Sequence, residues 1–332
     1  MEDAKLISQL NKDWKPGKIK VKKAGGQTNR NYIVQCKNEK FFVRFPWERT
    51  DIVNREAEAK NILAIAKCKK LVGVVPKYFL YVFKGKNILS LNEKLNFPDG
   101  TAIMEYIEGK SIDGKDLKKT EIQNSLIKTI YNFHSSGVKF VNNYDVFRDE
   151  ILKYKNKAKK YQIEKLLAKK ELKEIEGIEE EVKNNFPLGG GVSTHNDLIF
   201  DNLFLGKNGK IYLLDFEYGG YNVRQGIYYD LGIILGGNLF QKNSIKIKTF
   251  KEILEKAKKI YGRNLNKKKI YFGALINILV MFWWGMIKYF SSANSEEKKY
   301  FRDYVLKRAR GIKFLRNFIK KRSASYKDCE TL

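Results

Sequence analysis

The chain has 332 residues, 43% of them hydrophobic and 13% aromatic, and carries 65 Lys+Arg against 37 Asp+Glu for a formal charge of +28. That length predicts a large two-lobed domain or two domains, and the apolar content excludes a disordered chain. Lysines scattered along the whole sequence read as a solvated surface rather than a nucleic-acid footprint, so no nucleic-acid partner is expected. Cys36, Cys68 and Cys329 lack CxxC spacing and only two histidines are present, which excludes a disulfide framework and a His-rich metal cluster and fits a reducing cytoplasm.

The opening MEDAKLISQLNKDW lacks a basic region followed by an apolar run and is not read as a secretory signal. Gly25 and Gly26 then lead GGQTNRNYIV into a strand, and their missing side chains would let backbone N–H groups approach a phosphate. Neither GxGxxG nor a Walker A pattern is present. NYIVQCKNEKFFVRF alternates apolar and polar residues about KNEK and predicts a hairpin over residues 31–45. DIVNREAEAKNILAIAKC predicts a helix, and VVPKYFLYVFKGKNILSL and TAIMEYI predict short strands.

Beyond Tyr106 the periodicity becomes helical. EIQNSLIKTIYNFHSSG predicts a helix with a glycine stop, and residues 147–183 predict one long charged helix. Short strands at 203–205 and 211–214, joined by a KNGK turn, interrupt the helices. The uncharged stretch 271–287 is shorter than the roughly 20 residues of a spanning helix and predicts a buried one. The basic tail, EEKKYFRDYVLKRARGIKFLRNFIKKR, predicts a last packed helix with a solvated face, and peripheral contact with an anionic membrane is the lesser reading. The sum is an α+β chain: a sheet-rich N-terminal lobe over residues 1–106 and a helical C-terminal lobe over 107–332.

The chemistry concentrates in GGVSTHNDLIFDNLFLGKNGKIYLLDFEYGGYN, residues 190–222. A hairpin there brings Asp197 and Asn202 near Asp215, gathering two carboxylates and an amide oxygen, hard ligands that suit Mg2+ together with substrate phosphates. Phosphoryl transfer needs such a metal, a carboxylate to take the acceptor proton and positive charge on the nucleotide phosphates. Asp197 is the expected base, Asn202 and Asp215 the expected metal ligands, in the H-x-D-x-x-x-x-N and D-F arrangement of kinases. His195 is expected to brace this loop rather than carry the proton, and His134 to be a buried structural histidine. Arg44, in FFVRF, lies where a kinase keeps its phosphate-binding lysine, and Glu58, on the next helix, is its expected partner.

Together HNDLIFDN, LLDFEYGGYNVR and GGQTNRNY resemble the choline/ethanolamine kinase family, which shares the protein-kinase-like fold with aminoglycoside phosphotransferases. The resemblance runs from about Gly25 through the aromatic-rich region ending near Arg310. It implies ATP and Mg2+ as cofactors and a small amino alcohol, choline or ethanolamine, as acceptor, with a product for phospholipid or surface-glycan decoration. It also implies a nucleotide site formed by Gly25, Gly26, Thr28, Asn29, Arg44 and Glu58, with IMEYIEG (Met104, Glu105, Tyr106) as the adenine hinge. Glu217, Tyr218, Asn222 and Asp230 fall in its active-site segment. MFWWGMIKYF resembles the segment that walls the ammonium head group, with Trp284 matching its first tryptophan and Ile287 standing where the second would be; Trp283 reads equally as wall or core. Tryptophan faces attract ammonium groups by about 0.5–2 kcal/mol, and Glu217 would add local negative charge. The other readings are a kinase of an aminoglycoside or amino sugar, and a non-catalytic protein that uses its basic surface.

Overall fold

A computed structural model describes residues 2–25, 29–46, 53–90, 94–240 and 243–324. After helix α1 (Glu2–Ser8), strands β1 (Ile19–Ala24), β2 (Asn29–Cys36) and β3 (Glu39–Pro46) form an antiparallel meander. The predicted hairpin is present, and its turn is tightened by Lys37 in the left-handed region at φ 53°. Helix α2 (Arg55–Lys67) begins later than its apolar pattern suggested because Asn54 caps it, accepting from Ala57 N at 3.0 Å. Strands β4 (Tyr78–Phe83), β5 (Lys86–Asn87) and β6 (Ala102–Glu105) complete a six-stranded sheet of order β1-β2-β3-β6-β4-β5.

Alternation along these strands divides their side chains between two cores. On one face Val34, Val43, Phe45 and Ile103 pack with Ile7, Leu10 and Trp14 from the N-terminal segment. Tyr81 and Ala102 join Ala59 and Ile62 of α2 in the larger core, which continues into the helical part through Phe133 and Phe216. The inner end of β3 is thereby held rigidly beside the helical lobe.

The remaining elements are β7 (Gly109–Ser111), α3 (Thr120–His134), β8 (Asn143–Tyr144), a π-helical turn (Phe147–Ile151), α4 (Leu152–Ala158), α5 (Lys169–Asn185), β9 (Val192–Thr194), β10 (Leu203–Gly206), β11 (Ile211–Leu213), β12 (Gly220–Asn222), α6 (Gly226–Gly236), α7 (Ile247–Tyr261), α8 (Lys267–Ser291) and α9 (Ser295–Ala324). The predicted 203–214 hairpin forms as β10 and β11, and β7 adds to its outer edge. That addition needs Gly109, where a Cβ would stand 2.1 Å from the Leu205 carbonyl oxygen. Strand β12 lies between β8 and β9 and carries the chain back beside the loop that follows β9.

The single long helix expected over 147–183 is broken into the π turn, α4 and α5. Between α4 and α5, Ile163 and Leu167 turn into the core, so burial rather than helical continuity directs the backbone there. Helix α8 is long and apolar enough to cross a membrane, yet 83% of its most apolar window is covered by protein, as a core helix requires. It lies against α6 so closely that a Cβ on Gly232 would come within 2.5 Å of Ala274 N.

Candidate active site

Arg44 projects from β3 at 3% exposure and uses its planar fork in two directions. One amino group reaches Glu58 Oε1 of α2 at 2.5 Å, and the other reaches Asp215 Oδ1 at 2.9 Å. Nε and the first amino group also donate to the Gly100 carbonyl, at 3.3 and 3.1 Å. Burial alone would raise the Glu58 carboxyl, but Arg44 and Arg55 outweigh it and hold Glu58 below its ordinary range. A fully hydrogen-bonded arrangement of this kind retains a buried charge that would otherwise be expelled.

Asp215 follows β11 with φ 60°, a left-handed conformation uncommon outside glycine that turns its carboxylate back toward Arg44. Across from it, Asn202 donates to both the main-chain oxygen and Oδ2 of Asp197, each at 2.8 Å. The Asn202 N–H itself donates to Ile199 O, and Asn202 O accepts from Leu214 N at 2.9 Å. One backbone hydrogen bond thus joins the loop carrying Asp197 to the strand end carrying Asp215. Burial first, and then the Asp215 carboxylate, push Asp197 up to about 7, against the opposing Asn202 amide. A carboxylate poised there is suited to accept a proton near neutral pH.

The loop is braced from beneath. His195 is fully buried; its Nε2 meets the Leu214 carbonyl at 2.7 Å, and its Nδ1 faces the Asp197 N–H at 3.3 Å. Burial lowers its pKa, so it is a neutral imidazole whose two nitrogens are both engaged. Asp230, on α6, accepts from His195 N at 2.9 Å and Asn196 N at 2.8 Å, and its Oδ2 also meets His134 Nε2 at 2.9 Å. His134 in turn meets the Tyr261 hydroxyl at 2.8 Å through Nδ1. Asn222 donates to Asn196 Oδ1 and caps the turn to Arg224 N.

These contacts show where the expected acceptor residues lie. Asp230, Asn222 and Trp283 have no accessible surface; the first two are committed to the catalytic loop and its flank, and Trp283 is core, donating to Glu179 Oε2 at 3.1 Å. Trp284 is partly exposed, but its ring meets Phe301, Tyr304 and the Lys288 ammonium. Tyr218 is half-buried, with its hydroxyl 3.3 Å from that of Tyr154. Glu217 lies 3.7 Å from Arg55; burial and the charges of Asp215 and Glu58 raise it well above the carboxylate range. Met104 is buried and Tyr106 half-buried at the end of β6, and the Glu105 N–H is spent on Lys77 O at 2.8 Å. Near the first strand, Gly25 O accepts from Asn31 Nδ2 and Asn29 is buried, whereas Gly26 and Thr28 lie outside the described residues.

The sequence reading missed three groups in this region. Glu150, on the π turn, is 6% exposed and receives the Tyr144 hydroxyl. Arg308, on α9, is 4% exposed, lies 3.5 Å from the Tyr304 ring centroid, and leaves its Nε without a partner. Asn277, on α8, has an unbonded Oδ1. Each sits in a stretch whose periodicity marks only a helix, so no local motif flags it.

A family model described as choline/ethanolamine kinase matches residues 21–245. The chain belongs to this family. Comparison with curated protein sequences gives no match. Among solved structures, the choline kinase LicA from Streptococcus pneumoniae superposes with a TM-score of 0.69 at 19% identity, over 94% of this chain and 100% of that one. A choline kinase from Cryptosporidium parvum gives 0.68 at 19% identity, over 97% of each chain. The ADP-bound aminoglycoside phosphotransferase APH(2'')-Ib gives 0.60 at 17% identity, over 93% and 99%. The family and the shared fold make the chain a nucleotide-binding phosphotransferase of the protein-kinase-like class, α+β with an antiparallel N-terminal sheet.

Proposed function

We propose that the protein transfers the γ-phosphate of ATP to the hydroxyl of choline or ethanolamine. The observation that carries the reading is the joining of both halves of a phosphoryl-transfer site: Arg44 bonds Glu58 and Asp215 together, while Asn202 fixes Asp197. Asp197 would accept the proton of the acceptor hydroxyl, and its raised pKa suits that role. Arg44, held by Glu58, would turn from Asp215 to the nucleotide phosphates. Those phosphates would meet a fork already oriented by its carboxylate partner.

The donor set fits Mg2+. Among the described residues no three His, Cys, Asp or Glu side chains form a metal cluster, and Mg2+ asks for less, one or two carboxylates with phosphates and water. Asn202 and Asp215 would hold it, and the left-handed backbone at Asp215 is a strained feature of the kind retained at functional sites. When bound, the ion would neutralise charge on the phosphate oxygens. The residues themselves align the acceptor and receive its proton.

A cationic acceptor is favoured by the balance of charge near Asp197. Asp215 acts on both Asp197 and Glu217, and Asp197 acts on Glu150, with Arg44, Arg55 and Lys153 as the opposing cations. The chain-wide +28 attracts nucleotide phosphates, so an amine must be selected by this local cluster. Magnesium-dependent ATP turnover on choline, ethanolamine and a panel of aminoglycosides, with Asp197→Ala as control, tests the reading. Asp197-dependent turnover confined to aminoglycosides would reassign the acceptor, and none on any acceptor would refute the kinase reading.

A further inference from the structure

Helix α2 buries two polar side chains, and the phosphoryl-transfer site uses only Glu58. The other, Asn61, lies one turn further along and is fully buried, on the inward face with Ala57, Ile62 and Ile65. Asparagine is a poorer helix former than alanine or leucine, and in the middle of a helix it caps nothing. Its amide is spent across the molecule instead. Nδ2 donates to Asn142 Oδ1 at 2.8 Å and to the Gly219 carbonyl at 2.9 Å, and Oδ1 accepts from Val141 N at 3.0 Å.

That set of partners admits only an amide. A leucine would leave Val141 N without this acceptor and Gly219 O with Asn142 Nδ2 alone, at 3.2 Å. An aspartate would set carboxylate oxygens against the Gly219 carbonyl. Asn142 is itself held, its main-chain oxygen accepting from Tyr221 N at 2.8 Å. Helix α2 is tied near both ends as well: Arg55 lies 3.7 Å from Glu217, and Cys68 Sγ lies 3.9 Å from the Ser136 carbonyl.

The attachment point joins the two halves of the site. Gly219 N donates to Phe216 O at 2.9 Å, closing the turn that follows directly on Asp215. A Cβ on Gly219 would stand 3.0 Å from the Phe216 carbonyl oxygen and 3.1 Å from the Phe140 ring, so the surrounding chain closes tightly on this turn. The Tyr218 carbonyl, next to that of Gly219, accepts from Asn196 Nδ2 at 2.9 Å, and Asn196 directly precedes Asp197. Two neighbouring carbonyls are thus gripped from two sides. One grip comes from the helix that orients Arg44, the other from the loop that carries the base.

We propose that Asn61 is a positioning residue for phosphoryl transfer: by fixing α2 to the backbone at Gly219, it holds Glu58 and Arg44 in register with the Asp197 loop before any nucleotide binds. Helix α2 is then a fixed wall of the site rather than a helix that swings into place. This inference rests on the kinase reading above and deepens it.

The test combines kinetics with hydrogen exchange on the wild type and Asn61→Leu, which keeps the bulk of the side chain and removes its amide. In the variant, kcat/KM for ATP should fall by about thirtyfold while KM for choline or ethanolamine stays within about twofold, as loss of buried hydrogen bonds on the nucleotide side alone predicts. In an Arg44→Lys background the same change should cost no more than about threefold, because residues that act through one another are not additive. Losses that multiply in an active enzyme would overturn the role of Asn61 and leave the kinase reading intact. Should Asn61→Leu fail to fold, the wild type decides: amides of residues 59–66 should be protected from exchange to within about threefold with and without Mg2+ and ADP. Protection that appears only with nucleotide would show a helix that closes on its ligand and would overturn the proposal. No wild-type turnover on any acceptor removes the kinase reading and this inference with it.

Discussion

The two sides of Asp197 are built in opposite ways. Toward the nucleotide, buried charges are closed on one another: Arg44 spans Glu58 and Asp215, Asn202 grips Asp197, and Asp230 collects two backbone N–H groups and a histidine. Toward α8 and α9, buried Arg308 Nε and Asn277 Oδ1 have no such closure, and on the nucleotide side the same is true of Glu217 Oε2. Native interiors leave few such groups, and each costs free energy unless something pairs with it. The first side is tied together by charge-assisted hydrogen bonds between elements, and the second is packed largely by aromatic rings.

The sharpest way to break this contrast is at its reacting centre. Asp197→Ala should reduce kcat by about a thousandfold or more while ATP still binds. Retention of a tenth of the activity would move the base elsewhere. On the closed side, Glu58→Gln removes one partner of a buried pair and should cost about 3–5 kcal/mol of stability, read as a lower denaturation midpoint. An unchanged midpoint would mean that Arg44 is satisfied by Asp215 and Gly100 alone.

Asp230→Asn keeps the size of the brace but cannot accept from three donors equally. It should lower kcat by about tenfold to a hundredfold with little change in either KM. A change confined to the acceptor KM would return Asp230 to the acceptor pocket.

The open side predicts the reverse sign for stability. Glu150 is raised from 4.5 to about 8, so between those values the native state holds a proton that the unfolded chain releases. Its contribution to stability therefore falls as pH rises through that window, most of it being lost by pH 8. Glu150→Gln, which does not titrate, should raise the thermal midpoint relative to wild type at pH 8 and raise it least at pH 5. A lower midpoint at both pH values would show that the carboxylate is a structural asset. The smallest effect belongs to Trp283→Phe, which loses the bond to Glu179 but should keep the acceptor KM within about threefold, as a core residue would.

The same contrast decides what could be read from the sequence. Asp197, Asn202 and Asp215 lie within one hairpin, and the short connection forces them together, so their spacing reports their proximity. Arg44 and Glu58 follow from strand order and helix position. The region beyond Asp197 is assembled from α4, α6, α8 and α9, far apart in sequence, and helical periodicity says only which residues face inward. Asn222 and Asp230 were placed in the active-site segment by a family pattern, and Trp283 read equally as wall or core; all three are buried, Asn222 and Asp230 bonded to the loop before Asp197 and Trp283 to Glu179. Glu150 was hidden inside what read as one long charged helix, because a π turn has no sequence signature separate from the α-helix it interrupts.

The kinase reading is tested most directly by phosphoryl transfer itself, with ATP, Mg2+ and choline or ethanolamine and the phosphorylated product followed by phosphorus NMR. A phosphomonoester of the amino alcohol should form with wild type and disappear with Asp197→Ala. Product formed equally by both proteins, or no product from any amino alcohol while ATP binds, would contradict it.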